Sequence, residues 1–162
     1  FGIESGNQDI LNKIQKGVTL EQVRQAIKIS KKAGLETFGF FMFGLPGETE
    51  KTMQDTINFA KELDMDLSKF DITIPYPGTK LYNDLEKEGK ILSKNWSDYI
   101  VHQDNKELFK HSNLSFATIH KYYKKSFRSY YLRPSYIYKR FFKSFKKGEL
   151  TKDIKSLLET KW

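Results

Sequence analysis

The chain has no cysteine among its 162 residues. That absence excludes a disulfide framework, a cysteine zinc site and an iron–sulfur cluster ligated by this chain itself. The sequence also starts at Phe1 without a methionine, a basic segment or a signal-peptide cleavage site, so no export signal is visible. We therefore expect the chain to begin inside a longer protein and to be cytoplasmic.

Long hydrophobic runs are missing too. The longest apolar segment, from Phe38 to Leu45, is interrupted by glycine and is far shorter than the roughly 18–20 residues of a membrane span. Hydrophobic residues make up 38% of the chain and charged residues 30%. This composition predicts one globular domain with an ordinary core.

Charge is distributed unevenly, although the whole chain carries a net charge of +8. Residues 1–90 hold 12 Lys or Arg against 14 Asp or Glu, a net charge of −2, whereas residues 91–162 hold 16 against 6, a net charge of +10. The difference predicts two regions of different chemistry, 1–90 and 91–162.

Apolar strands and amphipathic helices alternate through residues 1–90. Strands are predicted at Phe1–Glu4, Glu36–Phe43 and Phe70–Ile74, each followed by a glycine- or proline-containing turn. Their starts lie about 35 residues apart, which is the spacing of strand–helix units in a parallel sheet. Helices are predicted to begin after four capping residues, Asn7, Thr19 with Gln22, Thr49 and Thr79.

The second region is predicted to be helical. Residues 116–147 contain 10 Lys or Arg, 11 aromatic residues and no acid. Pro134 should split this stretch into two helices because proline lacks an amide proton and clashes with the preceding turn. A last helix is predicted around four apolar residues, Leu150, Ile154, Leu157 and Leu158.

Unusual sequence follows each predicted strand, where the carboxyl ends of parallel strands would gather functional groups. The three segments are Gly2–Gly6, Gly39–Thr49 and Ile74–Thr79. Glycines in the second would let the backbone approach a flat ligand. Taken singly, each segment also fits a turn followed by a helix cap.

Together these segments resemble the radical S-adenosylmethionine superfamily. The resemblance rests on "FGIESGNQDILNKIQKGVT", "GFFMFGLPGETEKTMQDTINFAKELD" and "ITIPYPGTKLY", in this order and at this spacing. They are similar to the fourth, fifth and sixth strands of that family's partial barrel. The tail segment "YYKKSFRSYYLRPSYIYKRFF" is similar, less specifically, to the C-terminal extension of the branch that carries a cobalamin-binding domain.

This resemblance implies a fold and a set of cofactor-binding residues. The fold is the C-terminal part of a parallel (βα) partial TIM barrel followed by an α-helical extension. Glu4 and Ser5 match positions that contact the methionine amino group or the ribose of S-adenosylmethionine. Lys16 falls where many members have an arginine for the methionine carboxylate. Met42 and Gly44 lie on the glycine-rich motif whose backbone flanks the adenine, and Glu48 matches a position of the same motif. Ile74 and Pro75 are expected to lie beside the adenine.

The chain departs from the family in lacking the cysteine loop, CxxxCxxC, that ligates the 4Fe-4S cluster. We therefore interpret it as a fragment of a radical S-adenosylmethionine enzyme, inactive alone, with no catalytic and no metal-ligating residue of its own. The parent reaction would be reductive cleavage to a 5′-deoxyadenosyl radical, followed by methyl transfer or rearrangement. The resemblance also implies a small-molecule or lipid-like substrate and a reductant such as flavodoxin or ferredoxin. Whether the longer protein uses cobalamin, bound by a domain upstream of this chain, stays open.

Two other functions stay open. A tRNA-modifying methylthiotransferase would carry a small all-β RNA-binding domain after the core, and the helical pattern after Gly89 disfavours it. A non-catalytic basic module could bind nucleic acid or a membrane surface through its Lys, Arg and aromatic residues. The simplest interpretation of the tail packs its aromatics inward with its charges in solvent, and nucleic acid is disfavoured. His102, His111 and His120 lack metal-site spacing and are interpreted as surface residues.

Overall fold

The computed structural model describes residues 1–100 and 106–148. Strands and helices alternate through the first region, and helices form most of the second. In chain order the elements are β1 (Gly2–Glu4), α1 (Gln8–Lys13), α2 (Leu20–Lys32), β2 (Phe38–Phe43), α3 (Glu50–Leu63), β3 (Leu67–Ile72), α4 (Lys80–Lys87), a 3₁₀ turn (Trp96–Asp98), α5 (Phe116–Tyr131) and α6 (Pro134–Lys147).

The three strands form one parallel sheet in the order β1-β2-β3. The fold is therefore α/β, as the sequence predicted. β3 begins at Leu67, three residues before the predicted start, because Leu67 pairs with Phe38 and Lys69 pairs with Phe40 in the ladder. The polar residues Ser68 and Lys69 concealed this part of the strand, and Ile74 lies beyond its end.

The predicted helix starts are confirmed. Asn7 accepts hydrogen bonds from two amides of α1, and Thr19 forms a capping box with Gln22. Thr49 and Thr79 cap α3 and α4 in the same way through their hydroxyls. Such caps satisfy amides that have no partner inside the helix, so they fix where each helix begins.

Within residues 1–100 and 106–148, the helices cover one face of the sheet only. The main core joins Ile3, Phe41, Phe43 and Phe70 from the strands to apolar residues of α2, α3 and α5. On the other face, which we call the open face, Phe38, Phe40 and Leu67 are exposed. The single helical layer thus leaves half of the sheet's side chains available for other contacts.

The two basic helices dock in opposite ways. α5 buries aromatic residues against the sheet, among them Tyr122 and Tyr130, as the simplest interpretation of the tail predicted. α6 mainly does the reverse, since Lys143 lies 2.7 Å from Asp66 and Lys139 lies 3.1 Å from Asp64. For α6 the expectation of inward aromatics therefore holds for Tyr136, which is buried, and fails for the exposed rings Tyr138, Phe141, Phe142 and Phe145.

Acidic residues at the amino end of β3 explain this reversal. Asp66 accepts from Lys143 and from the Thr37 amide, and Arg133 pairs with Asp64. Burial raises the pKa of Asp66, but the Lys143 ammonium and the Thr37 amide outweigh it and lower that pKa to about 2. These ion pairs attract the charged face of α6 towards the body of the protein.

Pro134 is the first residue of α6, and Gly148 ends that helix in a left-handed conformation. The predicted last helix around Leu150, Ile154, Leu157 and Leu158 lies outside the described residues. Within the described ranges, none of the helices is both long enough and apolar enough to cross a bilayer.

Close packing between the first turn and α3 predicts a large effect of Gly6→Ala on stability. A Cβ at Gly6 would lie 2.5 Å from the Phe59 Cβ and 2.7 Å from the Thr56 Cα, so backbone must move. We expect the free energy of unfolding to fall by about 3 kcal/mol, as measured by urea denaturation.

Gly17→Ala is the matched control. Gly17 has φ of +71° but no atom within 4 Å of an added Cβ, so only the left-handed backbone penalty of about 1 kcal/mol applies. Equal losses of stability in the two variants would contradict the close approach at Gly6.

Candidate functional site

The predicted site lies at the edge of the sheet that is formed by the carboxyl ends of the three strands, next to the open face. In a parallel sheet, the loops that follow the strands lie at the same edge. Here those loops begin after Glu4, after Phe43 and after Ile72. Five of the eight predicted cofactor-binding residues lie in these loops: Ser5, Gly44, Glu48, Ile74 and Pro75. Of the other three, Glu4 ends β1, Met42 lies within β2, and Lys16 reaches the same edge from the turn after α1.

Glu4 and Lys16 form an ion pair at this edge. The Lys16 Nζ lies 3.0 Å from the Glu4 Oε1, and both side chains are partly exposed. The pair lies over Gly2, since a Cβ there would come within 2.9 Å of the Glu4 carboxylate and 3.4 Å of the Lys16 ammonium. Two opposite charges are therefore presented together beside the end of β1.

The backbone at Glu4 is strained. Its φ is +71°, a left-handed conformation that non-glycine residues rarely adopt. Such residues cost of order 1–3 kcal/mol and cluster at binding sites, where the surrounding structure holds them in place. The conformation turns the Glu4 side chain onto the open face while the next residue enters the core.

Ser5, by contrast, points into the protein. Its side chain is fully buried, its Oγ lies 3.2 Å from the Thr56 Oγ1, and the Asn7 amide donates to it. These contacts give Ser5 a structural role in joining the first turn to α3. A contact between Ser5 and the cofactor stays a prediction.

The loop after β2 is closed by a buried carboxylate. Glu48 Oε2 accepts from the Gly44 amide at 2.6 Å and from the Leu45 amide at 2.9 Å. Gly44 has φ of +79°, and a Cβ there would press on Ile119 at 3.3 Å. The turn therefore favours glycine at position 44, and an alanine there would also require Ile119 to shift by a few tenths of an ångström.

Glu48 is fully buried, and its Oε1 has no hydrogen-bond partner among the described residues. Burial raises its pKa to about 7, and the amides of Leu45 and Gly44 oppose that rise. The Glu48 carboxylate turns back into the loop, where it fixes the backbone that follows β2.

Met42 is the one predicted residue on the open face within β2. It is paired in the ladder with Asp71 of β3, and Lys69 lies 3.3 Å from Asp71 on the same face. The sequence prediction missed Lys69 because it started the third strand at Phe70, and it placed Asp71 in that strand without assigning it to a site. Alternation along Leu67–Ile72 carries the signal, since residues 67, 69 and 71 share one face.

Ile74 and Pro75 follow β3 but do not join the open face. Ile74 packs against a second apolar cluster that includes Tyr82, Tyr99 and Leu108. The Thr73 hydroxyl before it is buried without a hydrogen-bond partner in the described structure and lines a pocket with Phe109 and His111. That the adenine lies beside Ile74 and Pro75 stays a prediction.

His111 is a structural residue that sequence reasoning took for a surface histidine. Its Nδ1 accepts from the amides of Asn113 and Leu114, so the proton lies on Nε2, which donates to the Leu45 carbonyl at 2.9 Å. This contact ties the segment before α5 to the loop after β2. The spacing of the histidines along the sequence does not indicate this contact between His111 and Leu45.

The chain does not supply the thiolates of an iron–sulfur cluster, since it has no cysteine. Among residues 1–100 and 106–148, no three His, Asp or Glu side chains are grouped so that they could hold a metal ion.

Comparison of the sequence with known proteins identifies relatives of this chain. Residues 1–60 match the profile of the radical SAM superfamily. An uncharacterized methyltransferase of Pyrococcus horikoshii is 40% identical over 134 residues, which cover 83% of this chain and 28% of the relative.

Two further relatives have specific names. The bacteriochlorophyllide d C-8(2)-methyltransferase of Chlorobaculum tepidum is 31% identical over 60% of this chain and 22% of its own length. The anaerobic magnesium-protoporphyrin IX monomethyl ester cyclase of Rubrivivax gelatinosus is 31% identical over 52% of this chain and 15% of its own length. The chain thus spans less than a third of each of these three relatives.

The buried carboxyl of Glu48 predicts a pH-dependent stability difference. Because its pKa is raised to about 7 in the folded state from 4.5, its contribution is fully present below pH 4.5 and is lost as the pH rises to 7. We expect the stability of wild type relative to Glu48→Gln to fall by about 3 kcal/mol over this window. Urea unfolding of both proteins at a series of pH values measures the difference, and a constant difference would contradict it.

Proposed function

Because the chain belongs to the radical SAM superfamily, which is a family of enzymes, we propose that residues 1–90 form part of its barrel and contribute to an S-adenosylmethionine site. The open face of the sheet would then be the inner surface of the barrel. Its exposed apolar residues, Phe38, Phe40 and Leu67, support this proposal because a closed barrel would bury them.

The observation that carries the proposal is the Glu4–Lys16 pair. S-adenosylmethionine carries an amino group and a carboxylate on one carbon, and a neighbouring carboxylate and ammonium are complementary to both. We propose that Glu4 binds the amino group and that Lys16 binds the carboxylate. Lysine provides one point charge rather than the two parallel donors of arginine, so orientation of the carboxylate depends on the rest of the site.

The loop after β2 would bind the adenine. Gly44 and Gly47 both have positive φ, so they set the turn of the loop that would lie beside the ring. Glu48 holds this loop through two amides, so its role would be positioning rather than contact. Met42, Ile74 and Pro75 complete the proposed surroundings, and Ser5 would act through the first turn.

Bound in such a site and reduced by a cluster, S-adenosylmethionine supplies a 5′-deoxyadenosyl radical. The cluster's ligands are not in this chain, so its own residues bind and orient the cofactor only. For the longer protein we propose a methyl transfer to a small or lipid-like substrate, with flavodoxin or ferredoxin as reductant. The methyltransferase names of two relatives support that reaction class, and cobalamin would enter through a domain outside this chain.

The two helices that follow the sheet favour a methyltransferase over a tRNA-modifying methylthiotransferase. In the described residues beyond Gly89, the chain forms α5 and α6, and its β structure is one bridge between Ile91 and Phe109. A small all-β RNA-binding domain would need several paired strands.

Replacement of Lys16 tests the proposed site directly. We expect Lys16→Met to weaken the binding of S-adenosylmethionine by at least about tenfold, because a charge-assisted hydrogen bond contributes roughly 1.5–3 kcal/mol. Isothermal titration calorimetry measures the dissociation constant. Lys80→Met is the control, since Lys80 pairs with Asp84 on the exposed surface of α4. No binding by wild type, or equal losses in both variants, would contradict the proposal.

The lack of cysteine predicts that this chain alone is inactive. After anaerobic treatment with iron and sulfide, we expect neither the absorbance of a four-iron cluster nor conversion of S-adenosylmethionine to 5′-deoxyadenosine. Chromatographic analysis of the products measures the conversion. Production of 5′-deoxyadenosine in proportion to the chain would show that the interpretation as a partial enzyme is wrong.

A further inference from the structure

The loop after β2 is a closed turn with its own internal hydrogen bonds. The Glu48 amide donates to the Leu45 carbonyl at 3.1 Å. Between them, Pro46 and Gly47 form the central pair that a type II turn favours, and Gly47 has φ of +83°. The Glu48 carboxylate accepts from the amides of Gly44 and Leu45 as well. The shape of the turn is therefore fixed from within, whereas its placement depends on contacts with the rest of the protein.

Two side chains from the segment before α5 hold this turn from outside, and we call them the clamp. His111 Nε2 donates to the Leu45 carbonyl at 2.9 Å, and Asn113 Nδ2 donates to the Glu48 carbonyl at 3.3 Å. These carbonyls belong to the first and the last residue of the turn. Since 66 and 65 residues separate the partners along the chain, the clamp joins the second region of the chain to the end of β2.

The ring of His111 is itself held in one orientation. Its Nδ1 accepts from the amides of Asn113 and Leu114, both at 3.1 Å, so the other ring nitrogen carries the proton and faces the turn. The ring also lies beside the buried ring of Phe109, with the two centroids 6.4 Å apart. A donor fixed in this way restricts where the Leu45 carbonyl can lie, and with it the whole turn.

From these contacts we propose that His111 is a positioning residue for S-adenosylmethionine, supported by Asn113. The inference rests on the proposed function, in which the loop of Gly44 binds the adenine. In this role the clamp acts on the loop and not on the ligand. Without it, the loop would occupy the binding-competent place for only a fraction of the time, and the apparent dissociation constant would rise by the inverse of that fraction. Residues 91–162 would thus take part in cofactor binding although they hold none of the eight predicted binding residues.

A purely local role for His111 is the alternative. The two amides that donate to Nδ1 lie two and three residues after it, and these bonds alone would stabilise the turn that leads into α5. Asn7 accepts from the amides of Asp9 and Ile10 in the same pattern before α1. His111→Asn should therefore keep the local bonds and lose the bond to the Leu45 carbonyl, because the asparagine side chain is shorter.

The experiment separates the roles of the two ring nitrogens with two variants. His111→Asn retains an acceptor in the place of Nδ1, whereas His111→Gln places an amide nitrogen near the position of Nε2 and retains the donor to Leu45. Isothermal titration calorimetry of the 162-residue chain with S-adenosylmethionine measures the dissociation constant. We expect it to rise about fivefold in His111→Asn, as for the loss of one neutral hydrogen bond, and to stay within about twofold of wild type in His111→Gln. Circular dichroism of both variants verifies that the fold is retained.

Hydrogen exchange gives a second readout that needs no ligand. We expect the amides of Gly44, Leu45 and Glu48 to exchange faster in His111→Asn than in wild type, because the turn moves more often when the clamp is open. In His111→Gln these amides should exchange at the wild-type rate.

Three results would overturn the inference alone, when wild type binds S-adenosylmethionine. They are wild-type affinity in His111→Asn, equal weakening in both variants, and wild-type exchange of the loop amides in His111→Asn. The second of these would assign His111 a local structural role. No binding by wild type would overturn the proposed function and the cofactor role together, whereas hydrogen exchange would still decide whether the clamp holds the loop.

Discussion

The ring of Phe70 lies at the centre of the core, and the two faces of the sheet are defined by its contacts. It stacks on Phe41 and Phe43 of β2, with ring centroids 5.4 and 6.0 Å apart, and meets Phe127 and Tyr130 of α5 edge on. Aromatic pairs of this kind bury a large area and add about 0.5–1.5 kcal/mol each beyond it. Because side chains alternate along a strand, burial of these rings directs residues 38, 40, 42, 69 and 71 to the open face.

That division explains how structural and binding roles are separated along a few residues. At the end of β1, Ile3 and Ser5 enter the core while Glu4, in a left-handed conformation, stays on the open face beside Lys16. After β2, Glu48 turns inward and holds the loop through its amides. The residues that hold the backbone are thus buried next to those that we propose to bind the ligand.

The fold was largely predictable from the sequence because caps and strand alternation are local signals. Thr19, Thr49 and Thr79 marked the helix starts correctly, and glycine and proline marked the turns. The site was less predictable, since the burial of Ser5 depends on Thr56, more than fifty residues away. The orientation of α6 depends likewise on acids near β3, and periodicity alone cannot distinguish an inward from an outward apolar face.

A structure of the longer protein with S-adenosylhomocysteine bound would test the central claim most directly. The account predicts that the ligand lies over the open face, with its amino acid moiety at Glu4 and Lys16 and its adenine beside the loop of Gly44. A ligand bound on the helix-covered side, or an open face filled by side chains from the rest of the protein with no space for a ligand, would contradict it.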